Sequence, residues 1–354
     1  MKQLMGILIA GCSCCLNAQI YKYSNAFLEL GTSARALGLS GSCNASARGI
    51  NAAYWNPAGI SETNHSNEAA LMHASYYANL ANFDYLGYAH LLDSSSALGI
   101  TLIRFGVDDI PNTLDLMDAQ GNIDYGRISK FSISDYAFLT SYSKKIKSFR
   151  PLQLGISFKT IHRQIGSFAS SWGFGMDAGL KIKLNRCTLG LMGRDISGTY
   201  NAWRYQLTDA QKQTLITTQN LLPTNPLEIT SPKLVSGISF SNTLSKHLTM
   251  ESEINLTHRW DGMNNSLIQS EYWNIEPAAG IELSYLQRVF LRLGTGQFQS
   301  VWNSRGTYKE LDQEWSTGLG IQYHGLQLDY ALCGLGSSGI GLKSHVFSFT
   351  YQWN

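Results

Sequence analysis

The chain has 354 residues, and its 27 basic and 25 acidic residues make only 15% of it charged, well under the roughly 25% of ordinary soluble domains. With 18 Tyr, 14 Phe and 8 Trp it is too apolar and aromatic to stay disordered, and a formal net charge of +2 leaves no basic excess to neutralise a nucleic-acid backbone. Beyond the N-terminus no apolar run approaches the ~18 residues of a membrane-spanning helix. A large soluble domain or a membrane β-barrel remains.

Residues 1–18 read as an export signal. Met1-Lys2-Gln3 is a short basic start, Leu4 to Leu16 is an apolar or small core, and Leu16-Asn17-Ala18 offers a small residue at the cut. A second cut stays open at Ile9-Ala10-Gly11-Cys12, which fits a lipoprotein box. Cleavage after Ala18 leaves Cys43, Cys187 and Cys333, odd in number and far apart, with neither disulfide framework nor metal spacing.

Residues 19–66 form a separate N-terminal segment ahead of any strand pattern. Gly31 to Gly41 is rich in small residues around a single Arg35, and Asn51 to Gly59 closes on Asn56-Pro57-Ala58-Gly59. Proline holds the preceding Asn56 extended and fixes a turn. Small residues let backbone approach a wall closely, so the segment is expected to plug a barrel, with Arg35 paired to a lumen carboxylate.

From residue 67 onward the pattern has period two. Leu152, Leu154, Ile156 and Phe158 alternate with Gln153, Gly155, Ser157 and Lys159, and Phe174 to Leu184 repeats the alternation. Fourteen such candidates are placed at 68–77, 83–92, 97–107, 132–143, 151–163, 172–184, 187–195, 233–241, 247–258, 271–285, 289–298, 313–323, 326–333 and 345–353. Strands of about ten residues suit a tilted bilayer crossing better than a compact sandwich.

Short connections (93–96, 144–150, 185–186, 242–246, 286–288 and 324–325) alternate with mostly long ones (108–131, 164–171, 196–232, 259–270, 299–312 and 334–344); 78–82 is the exception. This parity is that of an outer-membrane barrel, short turns on the periplasmic side and loops outside. A charge facing hydrocarbon costs about 2–4 kcal/mol at the midplane. Asp177, Lys181, Arg194, Glu251, Glu253 and Arg292 are therefore expected in the lumen, and apolar partners outside. Trp172, Trp273 and Trp315 are expected at the outer rim, each opening a descending strand. The final strand, ending Tyr351-Gln352-Trp353, has the aromatic finish of a barrel.

Within the long connection 196–232, Thr208-Asp209-Ala210-Gln211 reads as a capping box opening a helix that stops before Pro223. The segment is a candidate lid or partner-binding loop, with Trp203, Tyr205, Thr208 and Leu215 as its candidate contact residues. Residues 108–124 carry Asp108, Asp109, Asp115, Asp118 and Asp124, a carboxylate density open to Ca²⁺ or to plain solvation. Eight histidines are scattered without a zinc motif, and the Gly334 to Gly339 match to a dinucleotide fingerprint has no following helix. No catalytic residue, metal or cofactor is assigned, and a non-enzyme is expected.

The stretches FLELGTSARALGLSG (27–41), NAAYWNPAG (51–59) and MHASYYANLANFDYLGYA (72–89), with IRFGVDDIPNTL (103–114) and WGFGMDAG (172–179), resemble the PorV/PorQ family of Bacteroidetes outer-membrane proteins, itself similar to the FadL fatty-acid transporter fold. One departure is Ala47-Arg48-Gly49-Ile50, where that family often has acidic residues. The resemblance implies an all-β, fourteen-stranded antiparallel outer-membrane barrel over 67–354 with an N-terminal hatch over 19–66. It further implies a non-enzymatic role in type IX protein secretion, with outer loops and hatch contacting translocon and attachment proteins or the C-terminal sorting domain of cargo. The alternative is a FadL-like channel for hydrophobic small molecules. No nucleic-acid partner is expected; the lipid of the outer membrane is.

Overall fold

The computed structural model describes residues 24–354 apart from 78, 115, 117–121, 147, 149–151, 224–225, 263–264, 304 and 336–342, so the expected signal segment 1–18 lies outside the described residues. Sixteen strands follow one another as β1 (Asn67–Tyr76), β2 (Ala81–Leu91), β3 (Ser96–Asn112), β4 (Ser129–Ile146), β5 (Leu152–Ile165), β6 (Ala169–Leu184), β7 (Cys187–Arg194) and β8 (Thr199–Tyr205). The second half has β9 (Leu227–Thr230), β10 (Lys233–Thr243), β11 (Leu248–Arg259), β12 (Asn274–Tyr285), β13 (Val289–Trp302), β14 (Lys309–Tyr323), β15 (Leu326–Leu335) and β16 (Ser344–Trp353).

Fourteen of them close an antiparallel ring in chain order, sealed by β1 against β16 with Leu71 opposite Phe349. The other two, β8 and β9, carry the wall outward above β7 and β10. β6 pairs with β7 from Ala178 to Leu184, then with β8 from Ala169 to Phe174. The connection 196–232 is therefore not all loop, because β6 is longer than β7 and its outer half needs a ladder partner. Only a nine-residue helix, Asp209–Thr217, fits the expectation there. Its Thr208 side chain accepts from the Gln211 N–H while Gln211 accepts from the Thr208 N–H.

Strand ends differ from the sequence reading in one systematic way: on the outer side they run further. β3 and β4 reach Asn112 and Ser129, β5 and β6 leave only residues 166–168 between them, and β13 and β14 leave 303–308. The wall is thus tall over β3–β6 and β13–β14 and low over β1–β2, whose hairpin ends at Tyr76 and Ala81. Trp172 and Trp315 sit inside their strands instead of opening them, since those strands continue past the aromatic belt. Bulges mark this level, between Val107 and Ile110 on β3 and between Gly296 and Gln299 on β13, where a bend redirects a strand leaving the ring.

Alternation sets the two faces. Leu71, Leu86, Leu102, Phe138, Ile156, Phe158, Leu291, Leu328 and Phe347 are exposed on the outside, whereas Met72, Tyr85, Ile103, Ala137, Ile161 and Val346 are buried within. An exposed apolar belt around a closed ring places the protein in the outer membrane. Five of the eight histidines mark the two membrane edges. His162 lies against Trp172, His258 against Trp273 and His345 against Tyr330 toward the outside, while His247 lies against Tyr285 and His324 against Tyr323 by the short turns.

The core is the lumen itself, filled by residues 24–66, where short 3₁₀ turns and one-turn helices replace strands. Close approach depends on wall glycines. A Cβ on Gly155 would lie 2.2 Å from the Ala58 nitrogen and the Pro57 carbonyl carbon, and one on Gly294 2.2 Å from the Leu39 carbonyl carbon. Gly155→Val or Gly294→Val should therefore cost about 1–3 kcal/mol through overpacking. The expected outcome is a barrel that keeps its heat-modifiable migration on gels while its hatch becomes proteolysed faster at Arg35 and Arg48; unchanged cleavage would show that the contact is not needed.

Candidate functional site: the hatch-filled lumen

The hatch runs through the barrel from its outer to its periplasmic end. At the outer end Ser24 donates to Glu228 (2.8 Å), Asn25 donates to Thr230 (2.9 Å), and Asn201 donates to Asn25 (2.9 Å). Glu29 pairs there with Lys233 and with Arg259. At the other end Ser66 donates to Asn354 (3.0 Å) and the chain enters β1.

Between these ends, wall side chains satisfy the hatch backbone that no ladder can. Glu253 accepts from the N–H groups of Ala45 (2.7 Å) and Ser46 (2.9 Å), Glu68 accepts from Ile50 (3.0 Å), and Lys181 donates to the Ala47 carbonyl (2.8 Å). Buried backbone groups left unmet would cost more than these contacts contribute.

The Asn56-Pro57-Ala58-Gly59 turn sits at the centre and is fully buried. Asn56 Oδ1 accepts from the Ala58 N–H (3.2 Å), and its Nδ2 donates to Asn44 O (3.1 Å) and Oδ1 (3.0 Å) and to the wall at Leu180 O (3.3 Å). A Cβ at Gly179 would stand 2.1 Å from Asn56 Oδ1, so that wall position too is filled by backbone approach. Next to it Arg194 caps Tyr54, with its Nη2 2.7 Å from the carbonyl and its guanidinium carbon 4.3 Å from the ring centroid. Burial pushes the Tyr54 phenol up against the opposing pull of Arg194; its hydroxyl stays protonated and donates to the Leu28 carbonyl.

Arg35 meets two lumen carboxylates, Glu282 at 2.9 Å and Glu251 at 3.2 Å. Glu282 in turn meets Arg292 (2.5 Å), which reaches Asp329 (2.6 Å). Burial would lower the Arg35 pKa, but Glu282 and Glu251 outweigh it and hold the guanidinium charged. Arg48 closes the circuit to Glu251 (2.9 Å), and Glu62 pairs with Lys181 (2.9 Å). A third set, Lys159 with Asp177 and Asp195, fills the break between β7 and β8. All six charged residues expected in the lumen lie there.

The lumen wall has two chemical halves. β6–β15 carry most of these charges, with Lys159 on β5 and Glu68 on β1 as exceptions, whereas β1–β5 present mainly Met72, Tyr76, Phe83, Tyr85, Ile103, Leu139 and Ile161 to Phe27, Leu28, Ile50 and Tyr54 of the hatch. The sequence reading missed the apolar half, although Leu102-Ile103, apolar on both faces of one strand, was its available signal. It also missed Glu62, Lys159 and Asp195, which the sequence places in turns or in lumen phase without naming their partners. Below the hatch a cavity of about 380 Å³ opens among Arg35, Arg48, Glu62, Glu68, Glu251 and Glu282. It is polar, and the Tyr54 to Gly59 region is packed.

The outer segment divides the other candidates. Trp203 turns inward and packs under Arg163, 5.1 Å away, with Tyr205 stacked beside it. Thr208 caps the exposed helix and Leu215 is half-buried on it; no residue of that helix is buried, so it does not cover the lumen as a lid. Asp115, Asp118 and Gly121 lie outside the described residues, Asp109 pairs with Lys130, and no metal-holding group of His, Cys, Asp or Glu occurs among the described residues.

Arg35→Met should remove the bridge between Glu251 and Glu282, leaving Glu282 to Arg292 and Glu251 to Arg48 alone. Arg35 is 20% exposed, so the loss should be about 1–3 kcal/mol, less than for a fully buried pair. Faster amide exchange across residues 33–48, with the barrel strands unchanged, is the expected reading. Glu62 gives a pH dependence. Burial would raise its pKa, but Lys181 outweighs it and holds the carboxyl below its ordinary 4.5. A depressed pKa contributes stability that is complete above that ordinary value and lost as pH falls through the lowered one. The Glu62 contribution to hatch protection should accordingly be constant from neutral pH down to about 5 and then fall, and the difference between wild type and Glu62→Gln should show that fall.

No protein-family model matches the chain, and no curated protein matches it. Solved structures do match. A protein described as the CymD monoaromatic hydrocarbon channel aligns with a TM-score of 0.58 at 12% identity over 92% of this chain and 98% of its own. The Ralstonia pickettii toluene transporter TbuX aligns at 0.55 and 11% over 92% and 99%. A Pseudomonas aeruginosa FadL homologue aligns at 0.50 and 12% over 91% and 98%. Nearly whole-chain superposition at such low identity shows a shared architecture, and the chain has the fold of FadL-type outer-membrane barrels.

Proposed function

We propose that the protein is a hatch-gated outer-membrane channel for small apolar molecules. The observation that carries this reading is the apolar half of the lumen, continuous along β1–β5 from Tyr76, Phe83 and Phe105 at the outer end to Met72 and Leu139 below. A water-filled pore for polar solutes has no use for such a strip, because an exposed apolar wall is disfavoured in water. In the closed arrangement Phe27, Leu28 and Tyr54 cover it.

The hatch is suited to move. Among the described residues it shares no β-ladder with the wall, and its anchors are side-chain hydrogen bonds and ion pairs that exchange singly. The neighbours described as a monoaromatic hydrocarbon channel and a toluene transporter support a substrate class of similar size and polarity for this barrel.

A second reading is favoured by different features. The packed centre of the lumen, together with exposed apolar side chains at outer connections (Leu80, Tyr125, Leu221, Tyr272), suits a docking protein, in line with the PorV/PorQ resemblance and a type IX secretion role. The structural neighbours support the channel and lend nothing to this second reading.

Uptake of labelled toluene by cells expressing the protein separates the two. A channel should raise the initial rate several-fold over vector, and Phe83→Glu, which charges the strip, should abolish the gain while the barrel still assembles. Uptake equal to vector would reject the channel. Loss of proteins bearing the sorting domain from the surface of a deletion strain would then favour docking, and an unchanged surface would reject it too.

A further inference from the structure

On the outside of the barrel, an ion pair interrupts the apolar pattern. Strand phase directs His73, Asp84, Arg104 and Tyr136 toward lipid, since Met72, Phe83, Tyr85, Ile103, Asp135 and Ala137 beside them are buried in the lumen. The four form one row across β1–β4, with His73 opposite Asp84, Asp84 opposite Arg104, and Arg104 opposite Tyr136. Asp84 receives His73 Nδ1 at 2.7 Å and Arg104 Nη1 at 3.2 Å, and Tyr136 stands opposite Arg104 on the neighbouring strand. Half-exposed side chains make the pair: 41% for Asp84 and 34% for Arg104. The rest of the protein does not shelter these charges.

Next to this row, on its periplasmic side, the wall is apolar again. Leu71, Leu86 and Leu102 continue it on β1–β3, and Phe349, Leu328 and Ile321 on β16, β15 and β14. Together with the polar row they line an external groove of about 750 Å³. The polar row thus lies at the outer end of an apolar trough, three residues in from the ends of β1 and β2.

We propose that this groove holds a lipid of the outer leaflet, its acyl chain along the leucine rows and its anionic phosphate on Arg104 and Tyr136. The charges argue for that occupant. A guanidinium has five N–H donors, and the Asp84 contact leaves donors over; a phosphate oxygen is the acceptor that forms charge-assisted bonds with them. Tyr136, opposite Arg104 in the row, has a hydroxyl hydrogen to donate to the same phosphate. Asp84 and His73 are positioning residues that fix the guanidinium at the groove end. The groove faces the membrane by topology, so acyl chains border it without any partner protein. This site is separate from the lumen, and its test is independent of whether the barrel conducts.

Native mass spectrometry of the detergent-solubilised full chain tests it, with dioleoyl phosphatidylglycerol and dioleoylglycerol as probes. Wild type should bind the phosphate-bearing lipid about tenfold more tightly than the neutral one, the factor given by ~1.4 kcal/mol. Arg104→Gln should bring the two within about threefold of each other, Arg104→Lys should restore part of the preference, and Leu86→Trp, which fills the trough, should weaken both. Heat-modifiable migration checks that each variant folds. Equal binding of the two lipids by wild type, or a preference unchanged in Arg104→Gln, would overturn the proposal. So would a stable dimer that excludes lipid and is lost in Arg104→Gln, because a second copy would then occupy the groove.

Discussion

The lumen depends on how closely hatch backbone approaches barrel wall. At Gly155, Gly179 and Gly294 nothing larger than hydrogen separates the two, and around these contacts hatch backbone groups that no ladder pairs find partners on the wall. Glu253, Glu68 and Lys181 are buried charged residues that serve this need, each bonding backbone of the hatch. Moving the hatch outward by even a side-chain width would strand these groups in a low-dielectric interior, where an unpaired charge is costly. Close contact and buried charge are therefore one constraint seen from two sides.

That constraint explains why the lumen is chemically divided. Ion pairs and carboxylate-to-backbone bonds hold the hatch mostly along β6–β13, through Lys181, Arg194, Glu251, Glu253 and Glu282, and leave β1–β5 largely apolar apart from Glu68 and Lys159. Polar contacts fix position and orientation; the apolar side contributes burial without fixing direction. A plug held so firmly on one side and so smoothly on the other has an evident line of weakness, along Phe83, Tyr85 and Ile103. The outer wall shows the same economy. It is mainly apolar, and the Asp84–Arg104 ion pair interrupts it beneath the low hairpin joining β1 and β2.

Much of this was readable in the amino-acid order. The lumen phase of Asp177 and Glu253 and the capping box at Thr208 are local, read from side chains two or three residues apart, and ring size and the parity of connections follow from the lengths of such runs and of the gaps between them. Strand ends beyond the membrane were not readable, since β13 continues past its bulge to Trp302 only because β14 stands beside it as a ladder partner. The same holds for β8, which is a strand because β6 is long. Trp203 was read as a surface contact, yet β8 pairing turns it inward onto Arg163.

The sequence by itself determined which side chains share a face, because alternation along a strand is fixed by the pleat of the backbone and needs no distant information. It determined too that Asn56-Pro57 would turn, since the proline ring restricts its neighbour wherever it lies. Only the tertiary structure decided who meets whom: Arg35 with Glu282, 247 residues away, Asn56 with Leu180, and His73 with Asp84 and Arg104 on the lipid side. Those meetings follow from ring closure and from the depth at which the hatch comes to rest, and both are set by summed packing over the whole barrel, which no local run of residues encodes.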